Sequence, residues 1–387
     1  MYRLTPQQQE RVQRLADLAD RDVAPHAVGV DREGAFPRES LRALGEQGFL
    51  GLTVPAAFGG LGEGLGVMAA SLDEVARRCP STAMVYLMHL CGVACYVAAS
   101  DQAAPYLVAA ARGQHLSTLA FSERGSRSHF WAPVSRATSM SDAAGSVRLN
   151  ADKSFVTAAG EADGYVVSTL DAAGSQPLAS ILYLVLRGDA GVSVAGAWSG
   201  LGMRGNASAP MTFADVEVSA GRALTAPGKG LDMMLGVVLP AFQVGTAAVA
   251  LGIAEAAVQA TQRHLTTTRL EHLETSLADL PVLRARLAQM RIETDRARAH
   301  LVGVLDSLEK PGPTTQLLVL EAKAAATEAA VTVTDLAMRT CGGAAFGGAL
   351  GLERLFRDAR AAIVMAPTSD QAYDFIGRAL CGLELLS

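Results

Sequence analysis

Residues 342–368 read GGAAFGGALGLERLFRDARAAIVMAPT. A glycine-rich loop is followed here by a segment in which apolar residues recur at helical spacing, up to a proline. The run predicts a helix over Leu352–Met365, and a further helix is expected over Ser369–Leu383. Upstream, long alanine-rich segments joined by short loops also predict helices, over Leu231–Thr267, Leu277–Glu309 and Thr314–Arg339. Long helices with short connections are typical of a four-helix bundle, so residues 225–387 are predicted to form one.

The rest of the chain divides into two regions by its residue pattern. Residues 1–115 predict an N-terminal helical domain, in which Thr5 can cap the first helix and Pro25 ends it. Between residues 116 and 224, short alternating runs separated by Gly, Asp and Ser predict an antiparallel β-domain. Their connections are too short for βαβ crossovers, which argues against a Rossmann sheet. The predicted class is an α+β multidomain protein ordered as helical domain, β-domain and helical bundle.

The composition narrows the possible functions. Half of the 387 residues are apolar and only 18% are charged, which indicates large buried cores. The net charge is −5 and the basic residues are scattered, so no nucleic-acid partner is expected. The five cysteines form no C-x-x-C pair and the N-terminus is polar, which together predict reduced thiols in a cytoplasmic protein. The apolar run over residues 83–99 is predicted to be a buried helix, with no membrane span.

Metal and serine-hydrolase chemistry are not expected from the sequence patterns. The seven histidines form no H-E-x-x-H pattern and no cluster with cysteine, so no metal site is predicted. No G-x-S-x-G stretch occurs, which argues against a serine nucleophile of the hydrolase type.

Five stretches spread over all three regions resemble the acyl-CoA dehydrogenase superfamily, in the order that this family has them. They are FPRESLRALGEQGFLGLTVPAAFGG (36–60), FSERGSRS (121–128), DKSFVT (152–157), GMR with FADV (202–204 and 213–216), and GG with LERLFRDAR (342–343 and 352–360). Five short stretches in the right order identify the chain as similar to this family over nearly its whole length. The resemblance implies FAD held between the β-domain and the bundle, and a homodimer or homotetramer.

The resemblance also implies cofactor contacts at the positions that match the family patterns. Ser122 and Thr157 would face the flavin, Ser128 its diphosphate and Phe155 its ring, while Arg339 would pair with the diphosphate of a neighbouring subunit's FAD. The other implied FAD contacts are Arg269, Gly342, Gly343 and Thr368. From the residues alone, the hydroxyls would be local turn caps. Arg269 would equally be a solvated side chain, because the family's Phe-Gly pair does not follow it.

The proton-abstracting glutamate of this family has no counterpart at its usual position. Members of the family remove a proton α to a thioester while a hydride leaves the β-carbon for the flavin, and the first step needs a base. Counting from the RDAR at 357–360, Ala366 occupies the glutamate position. A second position that some members use for the base falls at Phe242, and Gln243 replaces an arginine that many members have near the substrate. Phe242, Gln243 and Ala366 are expected to line the substrate site.

Four other residues are candidates for the base: His89, Glu123, His129 and Asp370. His89 lies in an apolar run, where a core histidine is the commoner outcome. Asp370 is at a position typical of a surface or cap residue. An acidic substrate would also make a strong base unnecessary.

Three functions remain open at the level of the sequence. The first is an FAD-dependent oxidoreductase acting on an acyl thioester, on coenzyme A or a carrier protein, with an electron-accepting flavoprotein as partner. The second is a flavin-dependent monooxygenase or N-hydroxylase that uses oxygen and reduced flavin from a separate reductase, for which the glutamate is not needed. The third is a non-catalytic paralogue that serves as a binding subunit. The fold alone does not separate them.

Overall fold

The computed structural model describes residues 2–126, 129–140, 145–172 and 178–384. Helices form both ends of the chain and strands form its middle, so the predicted order of helical domain, β-domain and helical bundle is confirmed. The N-terminal helices are α1 (Pro6–Asp22), α2 (Ala27–Arg32), α3 (Arg38–Glu46), α4 (Leu65–Arg78), α5 (Pro80–Ala98) and α6 (Ser100–Ala111).

The first helix begins where its sequence predicts. Thr5 is the N-cap of α1, and its Oγ1 accepts a hydrogen bond from the backbone N of Gln8 at 3.3 Å. The Gln8 side chain in turn accepts from the Thr5 backbone N at 3.0 Å. This reciprocal capping box satisfies two N–H groups that a helix start leaves free. Leu15 and Ala19 are fully buried on the inner face of α1, which packs against α4.

The described residues of the middle region form two sheets. Its strands are β1 (Ser117–Ala120), β2 (Thr138–Ser139), β3 (Val147–Val156), β4 (Gly164–Leu170), β5 (Ser180–Leu186), β6 (Val192–Val194) and β7 (Ala209–Val218). One sheet has the order β2-β3-β7-β6 and is antiparallel, and the other has the order β1-β4-β5. The antiparallel prediction holds except for β1, which runs parallel to β4. The chain forms β2 and β3 in the other sheet before it returns, so β4 enters in the same direction as β1.

The C-terminal region is built around the long helix α10. Its helices are α7 (Gly230–Met233), α8 (Leu239–Thr267), α9 (Pro281–Glu309), α10 (Thr315–Cys341), α11 (Gly343–Phe346), α12 (Leu352–Val364) and α13 (Ser369–Leu380). The short strands β8 (Arg269–Leu270) and β9 (Thr275–Ser276) pair between α8 and α9. Helix α10 packs against α8, α9, α12 and α13. The predicted helix over Leu231–Thr267 is interrupted by a π-helical segment, Met234–Val238, a feature that is frequent at functional sites.

Within the part of the chain that the structure describes, two helical stretches are long and apolar enough to cross a bilayer by length and composition alone, Pro80–Ala98 and Gly230–Thr267. In each of them, 78% of the most apolar window is buried inside the fold. Helix α5 packs against α8, so these apolar faces cover one another. Their hydrophobicity is thereby accounted for by packing between the two helical regions.

A loop of the β-domain around Met203 joins all three regions. Asp358 on α12 is buried, and its Oδ1 accepts a hydrogen bond from the Met203 backbone N at 2.6 Å. The neighbouring Arg357 donates to both carboxylate oxygens of Asp31 on α2, at 2.8 and 2.5 Å. Gly205 lies so close to α2 that a Cβ at this position would overlap its backbone. The relative position of the three regions is therefore fixed by a buried hydrogen bond and a bidentate ion pair.

Candidate active site

The loop between α12 and α13 carries the position at which the family glutamate is expected. Ala366 is half-buried there. Thr368 is the N-cap of α13, and its Oγ1 accepts a hydrogen bond from the backbone N of Gln371 at 3.2 Å. Asp370 is exposed in the first turn of α13, where a carboxylate is favoured by the helix dipole. The Thr368 hydroxyl, expected to contact FAD, and the Asp370 carboxylate, a candidate base, thus both have local roles at this helix start.

The residues of the β-domain that are expected to face a flavin lie on and beside β3. Phe155 projects from this strand with 66% of its surface exposed, which is unusual for a large aromatic side chain. The backbone N of Ser154 donates to the backbone O of Ser122 at 2.8 Å, so Ser122 lies alongside the same strand. Thr157 follows β3 directly, and its Oγ1 is 2.9 Å from the Oγ of Ser208. The structure therefore brings Ser122, Phe155 and Thr157 together, whereas Ser128 lies outside the described residues.

Glu123 is part of a buried ion pair. Its Oε1 is 2.5 Å from the Nζ of Lys153, and both side chains are buried. Its Oε2 accepts hydrogen bonds from the backbone N atoms of Val134 and Ser135, at 2.9 and 2.8 Å. Burial opposes ionisation, but the ammonium of Lys153 and the hydrogen bonds hold the pKa of Glu123 below its ordinary value. Both oxygens are occupied, so Glu123, a candidate base in the sequence, fixes the segment after Ser122 instead.

His89 is a core residue of α5. Its Nε2 is 2.7 Å from the backbone O of Leu50, and its Nδ1 accepts a hydrogen bond from the backbone N of Ser117 at 3.0 Å. Burial lowers the pKa of His89 to about 4, so the imidazole is neutral near pH 7. With both nitrogens bound to backbone groups, His89 connects α5 to its neighbours and is not placed to accept a substrate proton.

His129 lies where the β-domain meets the start of α13. Its Nδ1 is 3.1 Å from the backbone O of Ser126, and its Nε2 is 3.4 Å from the Nε2 of Gln371. The imidazole is exposed and meets the Trp131 ring edge-on, with ring centres 5.2 Å apart. Trp131 also contacts Phe375 on α13, at 5.6 Å between ring centres. Among the four candidate bases, His129 thus joins the β-domain to the helix that follows the Ala366 loop.

Gln243 on α8 is fully buried (0% exposed), and neither its Oε1 nor its Nε2 has a hydrogen-bond partner among the described residues. Thr246, one turn further along the same helix, is also buried with an unpartnered Oγ1. Phe242 is half-buried beside them. A buried amide that has no partner among the described residues is costly, and a bound polar group would lower this cost.

The other residues expected to contact FAD, including Arg339 for a neighbouring subunit's FAD, are exposed near the ends of α8 and α10. Arg339 is exposed in the last turn of α10, and Gly342 ends that helix with φ of 55°. A Cβ at Gly342 or Gly343 would meet no atom within 4 Å, so this backbone is open to a ligand. Arg269 on β8 is also exposed, but its guanidinium donates to the backbone O of Glu274 at 2.9 Å. Arg269 therefore stabilises its own hairpin.

Two buried lysines, Lys153 and Lys323, were not among the site residues predicted from the sequence. Lys153 pairs with Glu123, and Lys323 on α10 donates to the backbone of the Ala366 loop. Lysine is rarely buried, so neither position carries a local signal of its role. Within the described ranges, His, Cys, Asp and Glu form no group of three or more that could hold a metal ion.

Three family profiles match the chain in sequence order. They are described as the acyl-CoA dehydrogenase N-terminal domain, middle domain and C-terminal domain, over residues 5–114, 118–216 and 228–381 respectively. Together they span all three structural regions. The chain belongs to the acyl-CoA dehydrogenase family.

Individual relatives are similar over their full lengths. The probable acyl-CoA dehydrogenase YngJ of Bacillus subtilis is 27% identical over 95% of this chain and 96% of its own length. The cyclohex-1-ene-1-carbonyl-CoA dehydrogenase of Syntrophus aciditrophicus is 28% identical, over 98% of this chain and 91% of its own. Among solved structures, butyryl-CoA dehydrogenase from Megasphaera elsdenii superposes with a TM-score of 0.90, at 23% identity, covering 98% of this chain and 100% of that one. This superposition supports the fold assignment.

Proposed function

We propose that this protein is an FAD-dependent oxidoreductase that acts on an acyl thioester, bound to coenzyme A or to a carrier protein. The observation that carries this assignment is the full-length similarity to proteins named as acyl-CoA dehydrogenases. The domain boundaries at residues 115 and 224, a cytoplasmic location and an electron-accepting flavoprotein as partner belong to the same proposal.

The residues on the β-domain fit a flavin. An exposed aromatic ring at Phe155, next to the hydroxyls of Ser122 and Thr157, offers an apolar wall and polar contacts of the kind that a flavin needs. On the bundle, the open backbone at Gly342 and the exposed guanidinium of Arg339 suit a diphosphate. When bound, FAD would supply the acceptor for a hydride from the β-carbon of the substrate.

Proton removal from the α-carbon has to proceed without a carboxylate at position 366. Ala366 has no group that accepts a proton, and the hydrogen bonds of His89 and Glu123 engage both of these side chains in the fold. His129 is exposed, and the partner of its Nε2 is the side-chain amide of Gln371 and not a backbone group, so it is the favoured base among the four candidates. A substrate with an acidic α-proton would lower the demand on this base.

An anaerobic reduction screen tests this function. The purified protein, loaded with FAD, is mixed without oxygen with a panel of acyl-CoA and acyl-carrier thioesters, and the visible flavin band is recorded. Bleaching by at least one thioester is expected. A protein that binds FAD but is not bleached by any of them argues against dehydrogenation. A colourless protein that cannot be reconstituted with FAD would instead favour the non-catalytic binding subunit.

A flavin-dependent monooxygenase or N-hydroxylase is the second candidate. The observation in its favour is that two positions usually charged in the family, 366 and 243, are both neutral here, as alanine and an amide. Oxygen chemistry at reduced flavin does not need the missing carboxylate. Product formation that depends on oxygen and on a separate NAD(P)H-dependent flavin reductase, with no anaerobic bleaching by thioesters, would support it.

Assembly into a homodimer or homotetramer is part of the proposal. Phe346 is 83% exposed on α11, and further large apolar side chains of the C-terminal region are exposed at Val364, Tyr373 and Leu380. Exposed apolar groups of this kind are typical of surfaces covered by another subunit. Phe346 lies just after Gly342 and Gly343, which supports an FAD contact near a subunit boundary. Analytical ultracentrifugation of the purified protein tests the oligomeric state.

A further inference from the structure

Lys323 lies near the middle of α10, in the interior of the C-terminal bundle. Its side chain is fully buried (0% exposed), and its Nζ donates hydrogen bonds to the backbone oxygens of Met365 and Pro367, at 2.8 and 2.5 Å. These two oxygens stand immediately before and after Ala366. Removing an amine from water is costly unless acceptors replace the lost hydration, and here two carbonyl groups do so.

A second contact from α10 meets the same loop. The Oγ1 of Thr327, one turn after Lys323, is 3.3 Å from the Oγ of Ser369. Met365 is the C-cap of α12, so its carbonyl belongs to the groups that a helix end leaves without an intrahelical partner. Helix α10 thus contacts Met365, Pro367 and Ser369, which are every second residue from the end of α12 to the start of α13. These contacts lie on both sides of position 366.

The second buried lysine shows by contrast what is specific about Lys323. Lys153 is neutralised by the carboxylate of Glu123 at 2.5 Å. The acceptors of Lys323 within the described ranges are backbone carbonyls. An apolar residue in the bundle interior would avoid the desolvation cost altogether. The amine is therefore suited to holding the backbone of residues 365–367 in one conformation, rather than to stabilising the bundle as a whole.

We propose that Lys323 is a positioning residue, which fixes the backbone of residues 365–367 and thereby sets the direction of side chain 366 in the substrate site. This inference rests on the proposed function, because the placement of position 366 at the substrate comes from that assignment. The direct effect on the loop does not depend on it.

The charge state of Lys323 is not required for this role. Burial lowers the pKa of Lys323 to about 7, while Glu328 on the same helix acts in the opposite direction. A neutral amine keeps two N–H groups, which is the number that the two carbonyls need. The ionisable groups on the helices packed against α10 include Glu255 on α8, His300 on α9, Arg360 on α12, and Asp370 and Tyr373 on α13.

Lys323→Met tests the inference, since it keeps the length of the side chain and removes the donors. Amide hydrogen exchange is measured over peptides that span residues 364–371, in the full-length, FAD-loaded protein. At least about a tenfold faster exchange is expected in this segment, because its carbonyl anchors are lost. Thr334→Val is the matched control. It removes the 2.8 Å contact from Arg360 on α12 to α10 without touching residues 365–367, and exchange there should not change.

A second measurement uses a variant that has a carboxylate at position 366. In the Ala366→Glu background, Lys323→Met is expected to lower kcat for thioester dehydrogenation about tenfold or more with little change in KM, since a misdirected base loses rate rather than binding. Thr334→Val in the same background should leave both constants unchanged. Should Lys323→Met fail to fold, Lys323→Gln, which keeps a shorter donor, is measured for exchange instead, and a smaller increase in the same segment is expected.

Unchanged exchange over residues 364–371 in the lysine variant would overturn the inference. Equal kcat values of the Ala366→Glu protein with and without Lys323 would overturn it as well. If Ala366→Glu shows no gain even with Lys323 present, the assignment of position 366 to the substrate site fails, and the exchange measurement still decides the role of Lys323 in the loop.

Discussion

Asp358 and Met203 are 155 residues apart in the chain, yet the Oδ1 of Asp358 accepts a hydrogen bond from the Met203 backbone N at 2.6 Å. Burial raises the pKa of Asp358 to about 6, although the Met203 N–H and the nearby arginines act in the opposite direction. Asp358 is therefore easier to protonate in the folded than in the unfolded chain. The bond that joins the β-domain to α12 is consequently linked to pH.

The free energy of unfolding should respond to this carboxyl group in the mildly acidic range. The folded state holds the proton more tightly, so the contribution is full below about pH 4 and is lost as the pH rises through about 6. Asp358→Asn keeps an acceptor for Met203 without ionising. It is expected to nearly match the wild type at pH 4 and to be more stable by roughly 3 kcal/mol at pH 7. Urea titrations at both pH values check this, and a difference that does not vary with pH would contradict it.

The ion pair of Lys153 and Glu123 should dominate the stability of the segment after Ser122. Lys153→Met leaves a buried carboxylate without its counter-ion and should cost about 3–5 kcal/mol in the free energy of unfolding. The double variant Lys153→Met/Glu123→Leu should recover part of this loss. As a control, Arg148→Met breaks an exposed pair with Glu217 and should cost less than about 1 kcal/mol. Similar losses in the two single variants would show that burial of the first pair has no special effect.

Ala366→Glu should create or raise α,β-dehydrogenation of a simple acyl-CoA. A general base at the right position contributes about 100-fold or more in rate, so the gain should be visible in anaerobic flavin bleaching. Ala366→Gln has nearly the same size without a base, and it should give no gain. An equal response of the two variants would mean that the added volume, and not proton abstraction, is responsible.

Gln243→Met should stabilise the ligand-free protein. The variant removes two buried polar atoms that have no hydrogen-bond partner among the described residues and keeps the volume of the side chain, which should add about 1–3 kcal/mol to the free energy of unfolding. Thermal unfolding with and without acyl-CoA is the measurement, and the stabilisation by ligand should shrink if the amide contacts the substrate. Gln259→Met is the control, because Gln259 on the same helix already donates to Glu255 at 3.2 Å. Its stability should not rise.

The order of the three regions could be predicted from the sequence because the local residue preferences agree with the larger succession of helical and strand segments. The cap at Thr5 and the helices of the bundle follow from local residue preferences, and the structure places them within a few residues of the predicted bounds. The parallel pairing of β1 with β4 could not be predicted in this way. It depends on β2 and β3 joining a different sheet, which is a property of the whole domain.

The candidate site was predictable only where a residue acts locally or matches a family position. Ser122 lies beside the strand that carries Phe155, whereas the occupied nitrogens of His89 became visible only in three dimensions. Lys323 carries no sequence signal at all, because its acceptors lie 42 and 44 residues further along the chain. Contacts of this range depend on how α10 and α12 pack.

The contacts that the loop around Met203 makes with the helical regions also bear on substrate entry. A hinge movement of the β-domain away from the helices would leave the carboxyl group of Asp358 buried without its donor and break the hydrogen bond from Arg357 to the backbone O of Leu201. We therefore expect a substrate to enter by movement of side chains and loops, while the three regions keep their relative position. A protein whose three regions already hold their relative position loses little conformational entropy when a ligand binds. The affinity of this protein for its ligand should therefore depend on how well the ligand fits its binding site, and not on domain closure.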